Sequence, residues 1–202
     1  MSSERIAVLG AGGHAMVVVA TLQACGRNVV AVYDDAEHRW GGDVLGVPVV
    51  GPVDAVGSSD CTHGVIGIGD NRVRERMSRA VDIEWTTVVH PMTWIHPAVP
   101  IGGGTVVFAG AIVQPGAEIG MHVILNTKAS LDHECRVGDF AHIAHSQIGG
   151  GVVLGDGAFV ALGASVLPWR KVGAWATVGA GAVVTKDVAP GATVIGIPAR
   201  AR

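Results

Sequence analysis

The sequence predicts a small Rossmann-like α/β domain followed by a parallel β-helix built from six-residue repeats. Three observations support this prediction. A glycine-rich turn, GAGGHA, joins an apolar segment to a predicted helix near the start of the chain. An aliphatic residue then recurs every six positions from Val89 to Val184, with one slip. Small residues stand two positions before most of these aliphatic residues.

The composition is that of a globular protein that binds small molecules. The 202 residues are 49% hydrophobic with a net charge of -3, which argues against disorder, and no Lys/Arg cluster points to nucleic acid as the main partner. No apolar run approaches the roughly 18 residues of a membrane span, and no signal-peptide pattern is present, so we expect a cytoplasmic protein without membrane insertion. Three widely separated cysteines form no CxxC pair. With three Phe, one Tyr and 30 Gly, the core must use small and β-branched side chains, which favours narrow β-structure.

The first elements predict a βαβ unit. Residues 5–9 are an apolar run that predicts a strand, and the helix that follows the glycine turn closes at Gly26. Residues 28–35 predict a second strand that ends in two acidic residues. We therefore expect a parallel sheet with its helix crossing over one face.

A further strand and helix complete the predicted α/β domain. Residues 63–69 predict a strand, and Asp70 or Asn71 is placed to cap the helix after it. The domain is predicted to cover residues 1–86, and the repeat region to cover residues 87–202 with a C-terminal tail.

The GAGGHA turn has the form of a dinucleotide-type phosphate loop. Gly10, Gly12 and Gly13 match the start of G-x-G-x-x-A, and Asp34 lies where an acidic residue would meet a ribose or base. The same glycines would also suit a tight strand-to-helix turn that binds nothing. An NAD-dependent oxidoreductase is a further alternative, but a β-helix offers no geometry for hydride transfer.

The six-residue period predicts one inward aliphatic side chain for each edge of a triangular coil. The first run consists of Val89, Ile95, Ile101, Val107, Val113, Ile119, Leu125, Leu131, Val137 and Ile143. The second run consists of Ile148, Leu154, Val160, Val166, Val172, Val178 and Val184. One residue is missing between Ile143 and Ile148, so the register slips there.

The position two before each aliphatic residue faces the same way on a strand and is mostly Ala, Ser or Cys. This combination resembles the hexapeptide repeat of left-handed parallel β-helices, in which three repeats complete one coil. Cys135 stands at such an inward position and is predicted to fill the core. Arg170 breaks the rule, and we expect the chain to bulge into a loop there because an inward unpaired guanidinium is too costly.

Three histidines near the centre of the repeat could carry chemistry. His133 and Glu134 fall at a predicted corner, where neighbouring side chains can approach each other, and a carboxylate beside an imidazole fixes its tautomer and makes it a better base. His142 is predicted to point outward from a flat face, and His145 to lie at the next corner. Three outward imidazoles are similar to the zinc site of γ-class carbonic anhydrases, but the spacing differs from that pattern, so we predict no metal.

The motif combination resembles a family of sugar acetyltransferases that includes the bacillosamine-pathway and perosamine N-acetyltransferases and the sialic acid O-acetyltransferases. The motifs are GAGGHA, GIGDNRVR, LNTKASLDHECRVG, VGAGAVVTKDV and GIPAR, and they span the chain. The resemblance implies a homotrimer, with acetyl-CoA along the β-helix between subunits and a nucleotide sugar in the N-terminal domain. It implies N-acetylation of a nucleotide-linked amino sugar by direct attack. Two alternatives stay open: O-acetylation of a sialic acid or other cell-surface sugar, and a scaffold without activity.

The resemblance also assigns roles to residues. His133 is the expected general base, with Glu134 as its carboxylate partner. The expected acetyl-CoA contacts are His142, Gly150 and Ala180. The expected nucleotide-sugar contacts are Gly12, Gly13, His14, Asp34 and Asp35. The one-residue shortening departs from the usual pattern of the family and lies beside Gly150.

Overall fold

The chain divides into two compact units, Met1–Pro91 and Met92–Arg202, in a computed structural model that describes residues 4–202. The strands of the first unit are β1 Ile6–Leu9, β2 Val29–Tyr33, β3 Asp43–Val44, β4 Val47–Gly51, β5 His63–Ile66, β6 Glu84–Trp85 and β7 Val88–Val89. Its α-helices are α1 Gly13–Ala24 and α2 Asn71–Ala80, and short 3-10 turns span Glu37–Arg39 and Val53–Ser58.

The first unit is an α/β domain around a six-stranded sheet in the order β3-β4-β2-β1-β5-β6. All neighbours are parallel except the β3–β4 hairpin. Strand β1 is apolar and wholly buried, as a central parallel strand requires. The predicted βαβ unit is therefore confirmed. The predicted cap of the second helix is also confirmed, since the Asp70 carboxylate accepts the Val73 N–H at 2.8 Å.

The second unit is built from strands of two residues, or three in one case, joined by corners. They are β8 Trp94–Ile95, β9 Val106–Val107, β10 Ile112–Val113, β11 Glu118–Ile119, β12 Ile124–Leu125, β13 Ser130–Leu131, β14 Arg136–Val137, β15 His142–Ile143, β16 Gln147–Ile148, β17 Val153–Leu154, β18 Phe159–Val160, β19 Ser165–Val166, β20 Lys171–Val172, β21 Thr177–Val178, β22 Val183–Val184, β23 Thr193–Ile195 and β24 Arg200–Ala201.

These strands stack into three parallel sheets, the arrangement of a left-handed parallel β-helix. Sheet A holds β8, β10, β13, β16, β19 and β22; sheet B holds β11, β14, β17 and β20; sheet C contains β9, β12, β15, β18, β21 and β23. An antiparallel strand, β24, pairs with β23 at the end of sheet C. The chain passes from A to B to C and back to A in each coil, so each coil has an A–B, a B–C and a C–A corner.

The predicted inward register is confirmed. From Val107 to Val184 every aliphatic residue of the period is at most 5% exposed, and the small residues two positions earlier are at most 1% exposed. The corners need left-handed backbone, and several bulky residues adopt it there, among them His122, Glu134 and Trp169.

One coil is shorter than its neighbours. Ser130 pairs with Gln147, seventeen residues on, whereas Ile112 pairs with Ser130, eighteen residues on. The C–A corner at Ala144 and His145 is one residue shorter than the equivalent corners. The strands on both sides therefore keep their register. The sequence slip is thus absorbed in a tight corner.

The predicted bulge at Arg170 is wrong. Lys171 pairs with Val153 in regular register, and the Val153 N–H donates to the Arg170 carbonyl at 3.0 Å. The Arg170 side chain avoids the apolar interior because its Nε donates to the Pro168 carbonyl at 3.2 Å on the exposed side. A long side chain can turn its charged end outward without any change in the path of the backbone.

Candidate active site

His133 and Glu134 form a side-chain pair at an A–B corner. The His133 Nδ1 lies 3.2 Å from Glu134 Oε2, and the left-handed φ of Glu134, +60°, brings the two neighbours to the same side. The His133 backbone N–H donates to Asp132 Oδ1 at 2.8 Å, which fixes the start of the corner. A carboxylate at Nδ1 favours the tautomer with a proton there and leaves the Nε2 lone pair to accept a proton.

The Nε2 of His133 lies over Gly150 in the next coil. A Cβ on Gly150 would be only 2.5 Å from this nitrogen, so only glycine allows the ring to rest there. The Gly151 N–H donates to the His133 carbonyl at 2.8 Å and fastens the two coils together. The Trp169 ring approaches the imidazole edge to face, with centroids 6.3 Å apart. The His133 ring is therefore held by its surroundings while about half of its side chain stays exposed.

Gly150, the residue next to His133 Nε2, has a backbone N–H that can act as a hydrogen-bond donor. Its carbonyl accepts the Trp169 N–H at 2.9 Å, but among the described residues its own N–H has no acceptor. Two equivalent N–H groups, those of His133 and Thr127, are satisfied by the Asp132 and Asn126 side chains. Those of Asp156 and Ala174, like that of Gly150, have no acceptor among the described residues. A base and an unused amide donor thus lie side by side, the two groups that acyl transfer needs.

A shallow cavity of about 460 Å³ runs along sheet A and reaches this corner. Its floor combines aliphatic and short polar side chains, and its corner end is lined by Asp132, Gly149 and Pro168. An extended ligand with a polar and apolar chain could lie along this face with its end near His133.

His142 lies on sheet C, which is opposite the A–B corner of the same coil. Because side chains alternate along a strand and Ile143 points inward, the His142 side chain points outward. It is nevertheless buried, since the residue is only 8% exposed. Asn126 Oδ1 accepts the Thr127 N–H, so its Nδ2 is left to donate to His142 Nε2 at 3.1 Å. Ala180 is exposed at a C–A corner. Within one chain, the structure does not bring His142 or Ala180 to His133.

The glycine-rich turn lines a separate cavity of about 400 Å³ in the first unit. Gly12, Gly13, His14 and Asp34 all contribute to its wall. The Asp34 carboxylate also ties the turn together, accepting the Ala11 N–H at 2.6 Å and the Ala36 N–H at 2.9 Å.

The remaining predicted residue, Asp35, is not part of that wall. Its carboxylate accepts the Val53 N–H at 2.9 Å, at the start of a 3-10 turn. Sequence reasoning missed His38 and Arg39, which do line the cavity. The basic charge just after the acidic strand end was the only signal that could have suggested them.

A buried arginine supports the opposite wall of the same cavity. Arg74 is 1% exposed and donates from Nη1 to the Ile68 and Gly69 carbonyls, both at 3.2 Å, and from Nη2 to Asn71 Oδ1 at 2.9 Å. Burial, helped by the nearby Arg74 charge, lowers the pKa of His14 to about 4. His14 is therefore neutral at physiological pH and can meet a ligand only through hydrogen bonds.

Among residues 4–202 no group of three or more His, Cys, Asp or Glu side chains could hold a metal ion. No helix within that range is long and apolar enough to cross a membrane.

The fold and the corner site define an acyltransferase of the hexapeptide-repeat class. Residues 5–81 match the model of the PglD N-terminal domain. The chain is 37% identical to PerB from Caulobacter crescentus, solved with CoA and GDP-perosamine, over 98% of this chain and 96% of that one, with a TM-score of 0.91. It is 32% identical to the acetyltransferase domain of PglB from Neisseria gonorrhoeae, solved with acetyl coenzyme A, over the full length of both, with a TM-score of 0.93. It is also 28% identical to GDP-perosamine N-acetyltransferase of Escherichia coli O157:H7, over 96% of this chain and 94% of that one. The chain belongs to the hexapeptide-repeat sugar acetyltransferase family.

Proposed function

We propose that the protein transfers the acetyl group of acetyl-CoA to the amino group of a nucleotide-linked amino sugar, such as a UDP- or GDP-4-amino sugar. The observation that carries this proposal is the position of His133 Nε2 over Gly150, with Nδ1 engaged by Glu134. The relatives support it, because PerB was solved with both CoA and GDP-perosamine.

In the proposed reaction the neutral sugar amine attacks the thioester carbonyl directly. As the C–N bond forms, His133 Nε2 takes a proton from the amine nitrogen and Glu134 stabilises the resulting imidazolium. The Gly150 N–H donates to the oxyanion of the tetrahedral intermediate. When the C–S bond breaks, the CoA thiolate receives the proton from His133, so the enzyme returns to its starting state without an acyl-enzyme.

The two substrates are assigned to the two predicted domains. Residues 1–86 hold the nucleotide sugar, with the neutral His14 and the amides of Gly12 and Gly13 facing its phosphates and Asp34 its ribose or base. The carboxylate of Asp35 accepts the Val53 N–H and so helps to fix the backbone next to Asp34. Residues 87–202 hold acetyl-CoA and carry the base.

The assembly we propose is a homotrimer. The expected acetyl-CoA residues His142 and Ala180 lie on a different face and corner from His133 and Gly150 of the same chain. A cofactor that touches all four must therefore lie between two subunits. We propose that the enzyme works in the cytoplasm.

The test is CoA release, followed with a thiol reagent, across UDP-, GDP- and dTDP-4-amino sugars, their 4-hydroxy counterparts and free sialic acid. N-acetylation predicts turnover with at least one amino sugar and none with the matching hydroxyl compound. Preference for the hydroxyl compound, or for sialic acid, would instead establish O-acetylation. Release with none of the sugars, from a folded protein, would overturn the proposal in favour of a scaffold.

A further inference from the structure

The thiol of Cys135 makes a hydrogen bond that the core-filler interpretation does not require. Cys135 is fully buried at an inward position, two residues after His133, and its Sγ donates to the Gly149 carbonyl at 3.2 Å in the next coil. One coil earlier the same inward position is Ala117, which has no polar atom to offer. An alanine is therefore enough for packing at this position.

Among the described residues, this thiol makes the only hydrogen bond to the peptide that joins Gly149 and Gly150. Several equivalent corner carbonyls accept a backbone N–H three residues on, such as Asn126 from Ala129 at 2.9 Å and Gly155 from Ala158 at 3.1 Å, whereas the Gly120 carbonyl accepts the Thr105 hydroxyl. Gly149 has no such backbone donor, and the Gly150 N–H has no acceptor. The peptide lies in a run of three glycines, 149–151, in which no side chain restricts rotation of the backbone.

The carbonyl of Gly149 and the N–H of Gly150 are two ends of one planar trans peptide, so they point in opposite directions. Because the thiol holds the carbonyl toward the interior of the coil, the N–H is directed away from the interior, and the His133 ring lies against the same glycine. A hydrogen bond at the carbonyl also polarises the amide and strengthens its N–H as a donor.

We infer that Cys135 is a positioning residue, which through its bond to Gly149 aims the Gly150 N–H at the oxyanion formed in acetyl transfer. This inference rests on the proposed function. Burial raises the pKa of the Cys135 thiol to about 11, so the donor proton is present throughout the usual assay range.

The chain offers a matched control at another corner. Thr105 is fully buried at an inward position, and its Oγ1 donates to the Gly120 carbonyl at 2.8 Å and accepts the Val123 N–H at 3.0 Å. This is the same kind of interior bond from side chain to carbonyl, but it belongs to a B–C corner away from His133. Thr105→Val removes it with little change in volume.

The experiment compares Cys135→Ala, Cys135→Ser and Thr105→Val with the unmodified enzyme. We expect Cys135→Ala to lower kcat by about 10-fold or more, since complete loss of an oxyanion donor costs about 10²- to 10³-fold. KM for both substrates should change by less than about threefold, because the donor acts mainly in the transition state. Cys135→Ser should recover most of kcat, and Thr105→Val should lower the unfolding temperature while leaving kcat unchanged.

A second readout does not depend on turnover. Infrared difference spectra of bound acetyl-CoA, labelled with ¹³C at the carbonyl, should show the thioester band of the unmodified protein shifted to lower frequency by the Gly150 N–H. The shift should be lost in Cys135→Ala and kept in Thr105→Val. If Cys135→Ala does not fold, Cys135→Val is the second variant without a donor.

A wild-type kcat and an unchanged carbonyl band in folded Cys135→Ala would overturn the inference while leaving acetyl transfer intact. Failure of the unmodified protein to release CoA with any sugar would instead count against the proposed function, and the spectra would still report the position of the amide.

Discussion

At the scale of single residues, the proposed site combines a glycine without a side chain, Gly150, with the histidine ring that packs against it, His133. Gly150 has no side chain where His133 Nε2 rests, and the glycines beside it let the backbone turn its amide outward. The pairing of His133 with Glu134 follows from the left-handed corner, which places consecutive side chains on the same side. Local backbone geometry thus sets both the tautomer of the base and its distance from the amide.

Gly150→Ala should lower kcat by about 10²-fold or more, because its Cβ would lie 2.5 Å from His133 Nε2 and displace the ring. Steady-state kinetics with acetyl-CoA measure the loss. Gly57→Ala is the control, since a Cβ there meets no atom within 4 Å. Full activity of Gly150→Ala would mean that the ring position is not needed.

His14 should make stability depend on pH. Its pKa is about 4 in the folded protein against an ordinary 6.5, so the unfolded chain binds more protons between these values and the free energy of unfolding falls as pH drops from about 6.5 to about 4. The shift corresponds to at most about 3 kcal/mol. Urea unfolding of the native protein and His14→Asn across this range gives the contribution of His14 as a difference. Parallel curves for the two proteins would contradict it.

At the scale of elements, the six-residue period explains why so much of the fold could be predicted. A strand of two residues is too short to show periodicity by itself, but the regular return of an aliphatic and a small residue indicated the inward face of nearly every coil. The hairpin β3–β4 and the 3-10 turns between residues 36 and 62 escaped prediction, because they repeat nothing and have no long apolar run. Of the site, the His133–Glu134 corner was predicted, whereas the Cys135 bond was not, because it joins residues in different coils.

Inward and outward leucines should differ sharply in their contribution to stability. Leu154 is 1% exposed on sheet B, and Leu154→Ala should lower the free energy of unfolding by about 2 to 5 kcal/mol. Leu162, 57% exposed at a corner, is the matched control, and Leu162→Ala should cost less than about 0.5 kcal/mol. Denaturant titrations compare the two variants, and equal losses would contradict the assigned register.

At the scale of the whole molecule, one chain does not bring all the proposed acetyl-CoA contacts together. His133 and Gly150 share a corner, while His142 and Ala180 belong to sheet C and a C–A corner. A trimer explains this separation if each acetyl-CoA touches the A–B corner of one subunit and sheet C of its neighbour.

If each acetyl-CoA site is formed by two subunits, two impaired variants should restore activity when they are mixed in one trimer. His133→Ala removes the base and His142→Ala removes an expected acetyl-CoA contact, so each homotrimer should have low activity. Co-expressed and co-purified mixtures should regain activity, because some sites then combine an intact corner from one subunit with an intact His142 from another. Mixtures no more active than the average of the two variants would place each site within a single chain.

The most direct test of the account is acetyl transfer by His133→Ala under single-turnover conditions, beside His145→Ala as an exposed corner histidine away from Glu134. If His133 is the general base, its removal should slow CoA release by about 10²-fold or more while the fold, the assembly and acetyl-CoA binding persist. His145→Ala should react at the wild-type rate. A His133→Ala enzyme within a few-fold of the wild-type rate would contradict the central claim.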